Sequence, residues 1–156
     1  IHRDTWGTNL YQQINWWAPV SNVEEKNTMV FYPDYFDVPV KNTTSTWDLN
    51  IYLANRKKGD FSYPSAPQLK EDLPSNIKKI PVAIKPGEIL CFSGAHLHSS
   101  SKEKSENTRI SFEIRTICEN DLNSSAQAPN VDCDLQWKFP KIFKKINDNS
   151  PLKITS

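Results

Sequence analysis

Residues 85–116 read KPGEILCFSGAHLHSSSKEKSENTRISFEIRT, and their pattern decides the class of fold. Pro86-Gly87 is a turn signal, and the six residues from Glu88 to Ser93 form a short apolar run of strand type. His96 and His98 then stand two apart, which on an extended backbone puts both on one face. A polar loop follows. Arg109-Ile110-Ser111-Phe112-Glu113-Ile114-Arg115 then alternates strictly, with Arg109, Ser111, Glu113 and Arg115 on one face and Ile110, Phe112 and Ile114 on the other.

That alternation has two readings. A half-buried antiparallel strand turns its polar face to solvent. Alternatively, Arg109 and Ser111 point into a barrel and hold an anion. A guanidinium binds a carboxylate bidentately, and a neighbouring hydroxyl adds a third hydrogen bond. Under either reading the apolar face is expected to pack.

The first residues of the chain supply a second set of polar groups. His2-Arg3-Asp4 is an H-x-D triplet, which on an extended backbone places imidazole and carboxylate on one side. The chain has 3 histidines, all within these two stretches. Two histidines and one carboxylate with open positions form the facial triad of non-haem Fe(II) oxygenases.

The ordered set His2-x-Asp4, His98, Arg109-x-Ser111 resembles the Fe(II)/2-oxoglutarate dioxygenases, and most closely the phytanoyl-CoA dioxygenase-like family. The similarity rests on HRDTW, GAHLHSS and TRISFEIRT and spans residues 1–117. It implies a mainly β chain folded as a double-stranded β-helix (a jelly roll, cupin-like). It also implies Fe(II) held by His2, Asp4 and His98, and 2-oxoglutarate held through its far carboxylate by Arg109. His98 is preferred to His96 because the family's distal histidine stands eleven residues before the arginine, and His98-Ser99-Ser100 fits its pattern of histidine, small residue, hydroxyl. Ser100 and Ser111 are then expected beside the cosubstrate. An aromatic on the strand after the triplet is expected there too, taken as Trp16 against plain core packing of the tryptophan pair. Arg115 is expected to pair with an acidic side chain. Asp4 points to hydroxylation, because halogenating relatives leave the carboxylate position empty. The implied reaction releases succinate and CO2.

Composition bounds the remaining classes. The 156 residues suit one domain. With 19 basic against 18 acidic residues, net charge +1 gives no reason to expect nucleic acid or an anionic membrane as partner. No apolar run approaches the ~20 residues of a membrane span. Cys91, Cys118 and Cys133 lack metal-type spacing and cannot all pair, so the expected setting is reducing and cytoplasmic. A metal ligand at position 2 leads us to expect the C-terminal portion of a longer protein, without the family's N-terminal elements.

Along the chain, residues 5–9 read as loop and residues 10–20, LYQQINWWAPV, as the longest strand. Residues 28–32 and 77–84 read as further strands, and residues 48–54 as a short strand or helical turn. The stretch 33–76 is too long for a plain connection and is expected to cover the barrel mouth. Tyr35, Phe36, Trp47, Tyr52 and Tyr63 would line a substrate pocket there or seal the core. Residues 1–143 are expected to form the oxygenase domain and 144–156 a polar, frayed tail. The expected function is hydroxylation of a small molecule. The rivals are a cupin-like binding or structural module with a vestigial metal site and a cupin enzyme without 2-oxoglutarate, neither of which needs Arg109-x-Ser111.

Overall fold

The computed structural model of the chain describes residues 1–101 and 107–153. The strands among them are Ile14–Pro19 (β1), Met29–Phe31 (β2), Ile80–Pro81 (β3), Leu90–Ser93 (β4), His98–Ser100 (β5) and Ser111–Thr116 (β6). They form two small antiparallel sheets, with β1 between β4 and β6 in one and β2 between β3 and β5 in the other. Helix is sparse: Thr5–Thr8 (α1), Leu49–Lys57 (α2) and three short 3-10 turns. The chain is therefore β-rich with few helices, and no helix of the described residues is long and apolar enough to cross a membrane.

Local chemistry sets the boundaries. Residues 5–9 carry a single helical turn where a loop was expected, closed by Asn9 in the left-handed region at φ 55°. The strand expected over residues 10–20 pairs only from Ile14, because Tyr11 and Gln12 form a turn that sends Leu10 and Tyr11 into different apolar clusters. Residues 48–54 take the helical alternative: the Asp48 carboxylate accepts from the backbone of Asn50 and Ile51 and caps α2. The polar stretch between His98 and Arg109 falls partly on residues 102–106, outside the described residues.

The two sheets meet through a small core of Trp17 and Phe92 against Met29 and Val82, with Phe31 edge-on to Phe92 at 5.1 Å between centroids. A larger cluster gathers Trp6, Tyr11, Tyr32 and Leu97 with Cys133 and Leu135 of the C-terminal segment. The third joins Leu10, Phe143 and Leu152. This last cluster corrects the frayed tail expected over 144–156, as far as residue 153. Leu152 is buried, its N–H donates to the Phe143 carbonyl, and Lys144 bridges to Pro151. One leucine in a polar segment is enough to dock it when a preformed apolar cleft receives it.

Strand β6 turns its alternation the opposite way from a half-buried strand. Its apolar face is the uncovered one. Ile110, Phe112 and Ile114 are 47–57% exposed and, with Trp16, Val20 and Ile89, make an apolar outer face that nothing among the described residues covers. The register shows why they cluster, since Trp16 lies between Cys91 and Ile114, and Ala18 lies beside Phe112. The face opposite carries Asn15, Trp17, Glu113 and Arg115 toward the second sheet.

The N-terminal segment bridges β5 at the edge of the second sheet and is held by Arg3. The guanidinium is 2% exposed. It donates to the Asp132 carboxylate at 3.1 Å and to the carbonyls of Tyr35, Phe36, Val38 and Ala95 at 2.6–3.2 Å. Asp132 also accepts from the Trp6 indole and the Val40 backbone. A buried charge is tolerable only when so fully paired, and removing one partner strands the other. Asp132→Ala should therefore cost about 3–5 kcal/mol of folding stability. Denaturant unfolding of the variant against wild type measures it.

Candidate metal and carboxylate site

The backbone brings the two histidine stretches together first. His2 and His98 form an antiparallel bridge, each N–H donating to the other's carbonyl at 3.0 Å, and their rings lie 4.5 Å apart. Arg3 points into the core, so His2 and Asp4, on either side of it, turn the other way. The potential ligand atoms of His2, Asp4 and His98 all lie within 4.8 Å of one another. The His2 Nε2 stands 3.4 Å from Asp4 Oδ1, and the His98 Nε2 stands 3.6 Å from Asp4 Oδ2. Adjacent ligands about 2.1 Å from one ion sit roughly 3 Å apart, so this donor set fits a divalent metal with small adjustments.

His98 is oriented for ligation. Its Nδ1 lies 2.9 Å from the His96 carbonyl, which can only accept, so Nδ1 carries the proton and Nε2 keeps its lone pair. Burial pushes its pKa down to about 4, so the ring is neutral at physiological pH, the form a metal needs. His96 lies apart from the triad. Its Nδ1 contacts the Ser93 carbonyl and its ring packs against Phe36 and Phe31.

Asp4 is held by two neighbouring strands. Asn15 and Arg115 are register partners across β1 and β6. The Asn15 amide donates to Asp4 Oδ2, and Arg115 Nη2 donates to Oδ1 at 3.1 Å. Burial alone would raise the carboxyl's pKa. The hydrogen bond from His2 and the charges of His98 and Arg115 outweigh it and hold it at about 2. Arg115 also pairs with Glu113 at 2.8 Å.

Behind Asn15 runs a buried chain of donors. The Thr8 hydroxyl donates to Gln13 Oε1, and the Gln13 amide donates to Asn15 Oδ1, so every donor points toward Asp4. Gln13 and Asn15 are wholly buried. Gly94 is required beside them, because a Cβ there would come 2.9 Å from Gln13 Nε2. Thr8, Gln13 and Asn15 were not singled out from sequence. Their signal is the parity of Gln13, Asn15 and Trp17, two polar amides in step with the inward tryptophan.

The residues expected to bind the cosubstrate carboxylate share a small cavity of about 250 Å³ with the triad. Ser100, Arg109 and Ser111 line it together with His2, Asp4, His98 and Trp17. Arg109 Nη2 donates to Ser100 Oγ at 3.2 Å, and its guanidinium lies 5.8 Å from the Trp17 ring centroid. Its Nη1 is buried and makes no hydrogen bond among the described residues. A buried donor left unmet is costly and marks a place for an acceptor. Trp16, expected beside the cosubstrate, is instead on the outer face with its indole donating to Thr116. Successive side chains on a strand face opposite ways, so placing Asn15 inward sends Trp16 out and Trp17 in.

No protein-family model, curated protein or solved structure significantly matches this chain.

Two predictions follow from the geometry around Asp4. In metal titration, His98→Ala should abolish binding, and His96→Ala should weaken it far less. Asn15→Ala should weaken it roughly 10–100-fold, the usual effect of losing a group that orients a ligand.

The second concerns acid stability without metal. The pKa of His98 falls from 6.5 unfolded to about 4 folded, so between those values the unfolded chain binds a proton that the folded one does not. Stability is therefore lost as pH falls through that window, by about 3 kcal/mol. Asp4 continues the loss from 3.8 toward about 2. Urea unfolding in chelator at pH 7 and 4.5 should show His98→Gln less acid-sensitive than wild type by most of that amount.

Proposed function

We propose that the chain is a non-haem Fe(II)- and 2-oxoglutarate-dependent dioxygenase, built on a double-stranded β-helix, that hydroxylates a small molecule. The observation that carries this reading is the shared cavity. Two histidines and a carboxylate at metal-binding distances open into the same small space as a guanidinium with an unmet buried donor. A metal-dependent cupin without 2-oxoglutarate has no use for that guanidinium.

When bound, iron with 2-oxoglutarate and dioxygen supplies the oxidant for the overall change of substrate C–H to C–OH, with succinate and CO2 as co-products. The protein's part is binding and orientation. His2, Asp4 and His98 would hold the metal, and the protonated Nδ1 of His98 keeps its other nitrogen available. Arg109 would take the far carboxylate of the cosubstrate through Nη1, with Ser100 and Ser111 adding hydroxyl donors at the same wall. Trp17 supports the guanidinium from its ring face. Asn15 and Arg115 hold Asp4 ionised and fixed in direction.

Arg109→Leu tests the reading. It should raise the 2-oxoglutarate concentration needed for succinate release by roughly two to three orders of magnitude, the equivalent of about 3–5 kcal/mol for a lost buried charge pair. Metal binding should change little, because Arg109 is not a ligand. An unchanged 2-oxoglutarate titration would remove the reason for naming this cosubstrate.

A further inference from the structure

A second cavity, of about 440 Å³, opens beside His2 and Asp4 of the same triad. It shares His2, Asp4 and Arg115 with the Arg109 cavity but contains neither Arg109 nor its serines. Its volume lies in the ~300–1,000 Å³ range of small-molecule sites. The long 33–76 stretch and the C-terminal segment build its far wall, which brings Trp47, Leu49, Pro67, Phe139 and Ile142 together. Of the five aromatics expected to line a pocket from that stretch, only Trp47 does so. Tyr35 and Phe36 pack on the core, and Tyr63 holds the backbone of Asp48 through its hydroxyl.

Trp47 is set rigidly. Its indole N–H donates to the Pro64 carbonyl at 2.9 Å, and its ring lies 6.3 Å from Trp137 and 6.5 Å from Tyr52. A fixed aromatic with aliphatic neighbours suits a flat or cyclic apolar body. Ser65 and Gln68 add hydrogen-bonding groups to the lining.

The charges decide the rest. The Arg, Lys, Asp and Glu side chains lining this cavity are Arg3, Asp4 and Arg115. Arg3 is engaged by Asp132 and four carbonyls, and Arg115 by Asp4 and Glu113. Among the protein's own Arg, Lys, Asp and Glu side chains in this lining no spare charge remains to meet an ionised ligand, and burying an unmet charge is expensive. We propose that this cavity is the primary-substrate site, and that it takes an uncharged, ring-bearing small molecule with a hydrogen-bonding substituent. This deepens the dioxygenase reading and rests on it for the word substrate.

The test uses the chain loaded with Co(II) and 2-oxoglutarate, and two probes that differ in charge, indole and indole-3-carboxylate. Ligand-observed NMR should show saturable binding of indole and binding of the carboxylate weaker by roughly tenfold or more. Gly7 lines the cavity, and a Cβ there meets nothing within 4 Å, so Gly7→Phe adds bulk into open space. Gly7→Phe and Ile142→Trp, each checked for folding by circular dichroism, should abolish indole binding. Indole binding unaffected by both variants, or the carboxylate bound as tightly as indole, overturns the proposal. A chain that binds Co(II) but not indole overturns this proposal alone. A chain that binds indole but never Co(II) keeps the ligand class and overturns the dioxygenase reading beneath it.

Discussion

A guanidinium removed almost wholly from water holds the N-terminal segment in place, and the site depends on it. Arg3 ties residues 35–38, Ala95 and Asp132 to one point, so four separated parts of the chain meet there. Because side chains alternate along an extended backbone, sending Arg3 into the core forces His2 and Asp4 the other way, toward His98. The bridge between His2 and His98 then sets the spacing of the two rings through main-chain hydrogen bonds. The segment is thus fixed by both its charge and its backbone.

Around Asp4 the same economy of position recurs. One strand supplies the amide of Asn15, its register partner supplies Arg115, and each holds a different oxygen. The carboxylate stays ionised although buried, because the groups around it favour the charged form more than desolvation opposes it. His98 shows the opposite balance, where burial wins and leaves the ring neutral. A buried anion beside a neutral imidazole is the protonation state that a divalent metal requires of those two groups.

Placing so much polarity between the sheets has a structural consequence. The face of β1, β4 and β6 that looks toward the second sheet carries Asn15, Glu113 and Arg115 beside Trp17 and Phe92. The apolar residues of β6 are left on the outside with Trp16, where a half-buried strand would show polar ones. The polar and apolar faces have exchanged places on this strand.

That exchange also marks the limit of what could be read from the residues. The alternation of residues 109–115 showed which side chains travel together, and the family resemblance singled out His2, Asp4 and His98 as a set. A β-rich chain with little helix was legible too, from short apolar runs between turn residues. The direction each face takes was not, because period two is the same whichever side meets the core. So Trp16 and Trp17 could not be told apart until Asn15 was seen bonded to Asp4. Nor could Thr8 be recognised behind Gln13 and Asn15, since it joins their chain of donors across a turn and not along the strand. The docking of residues 144–153 by Leu152 was equally hidden, because a single leucine acquires its meaning from a cleft assembled elsewhere. Local pattern determined which residues form pairs and strands, while the long-range contacts of Arg3, Asp4 and Leu152 decided what those pairs face, since burial and partner charge belong to the folded chain and to no segment of it.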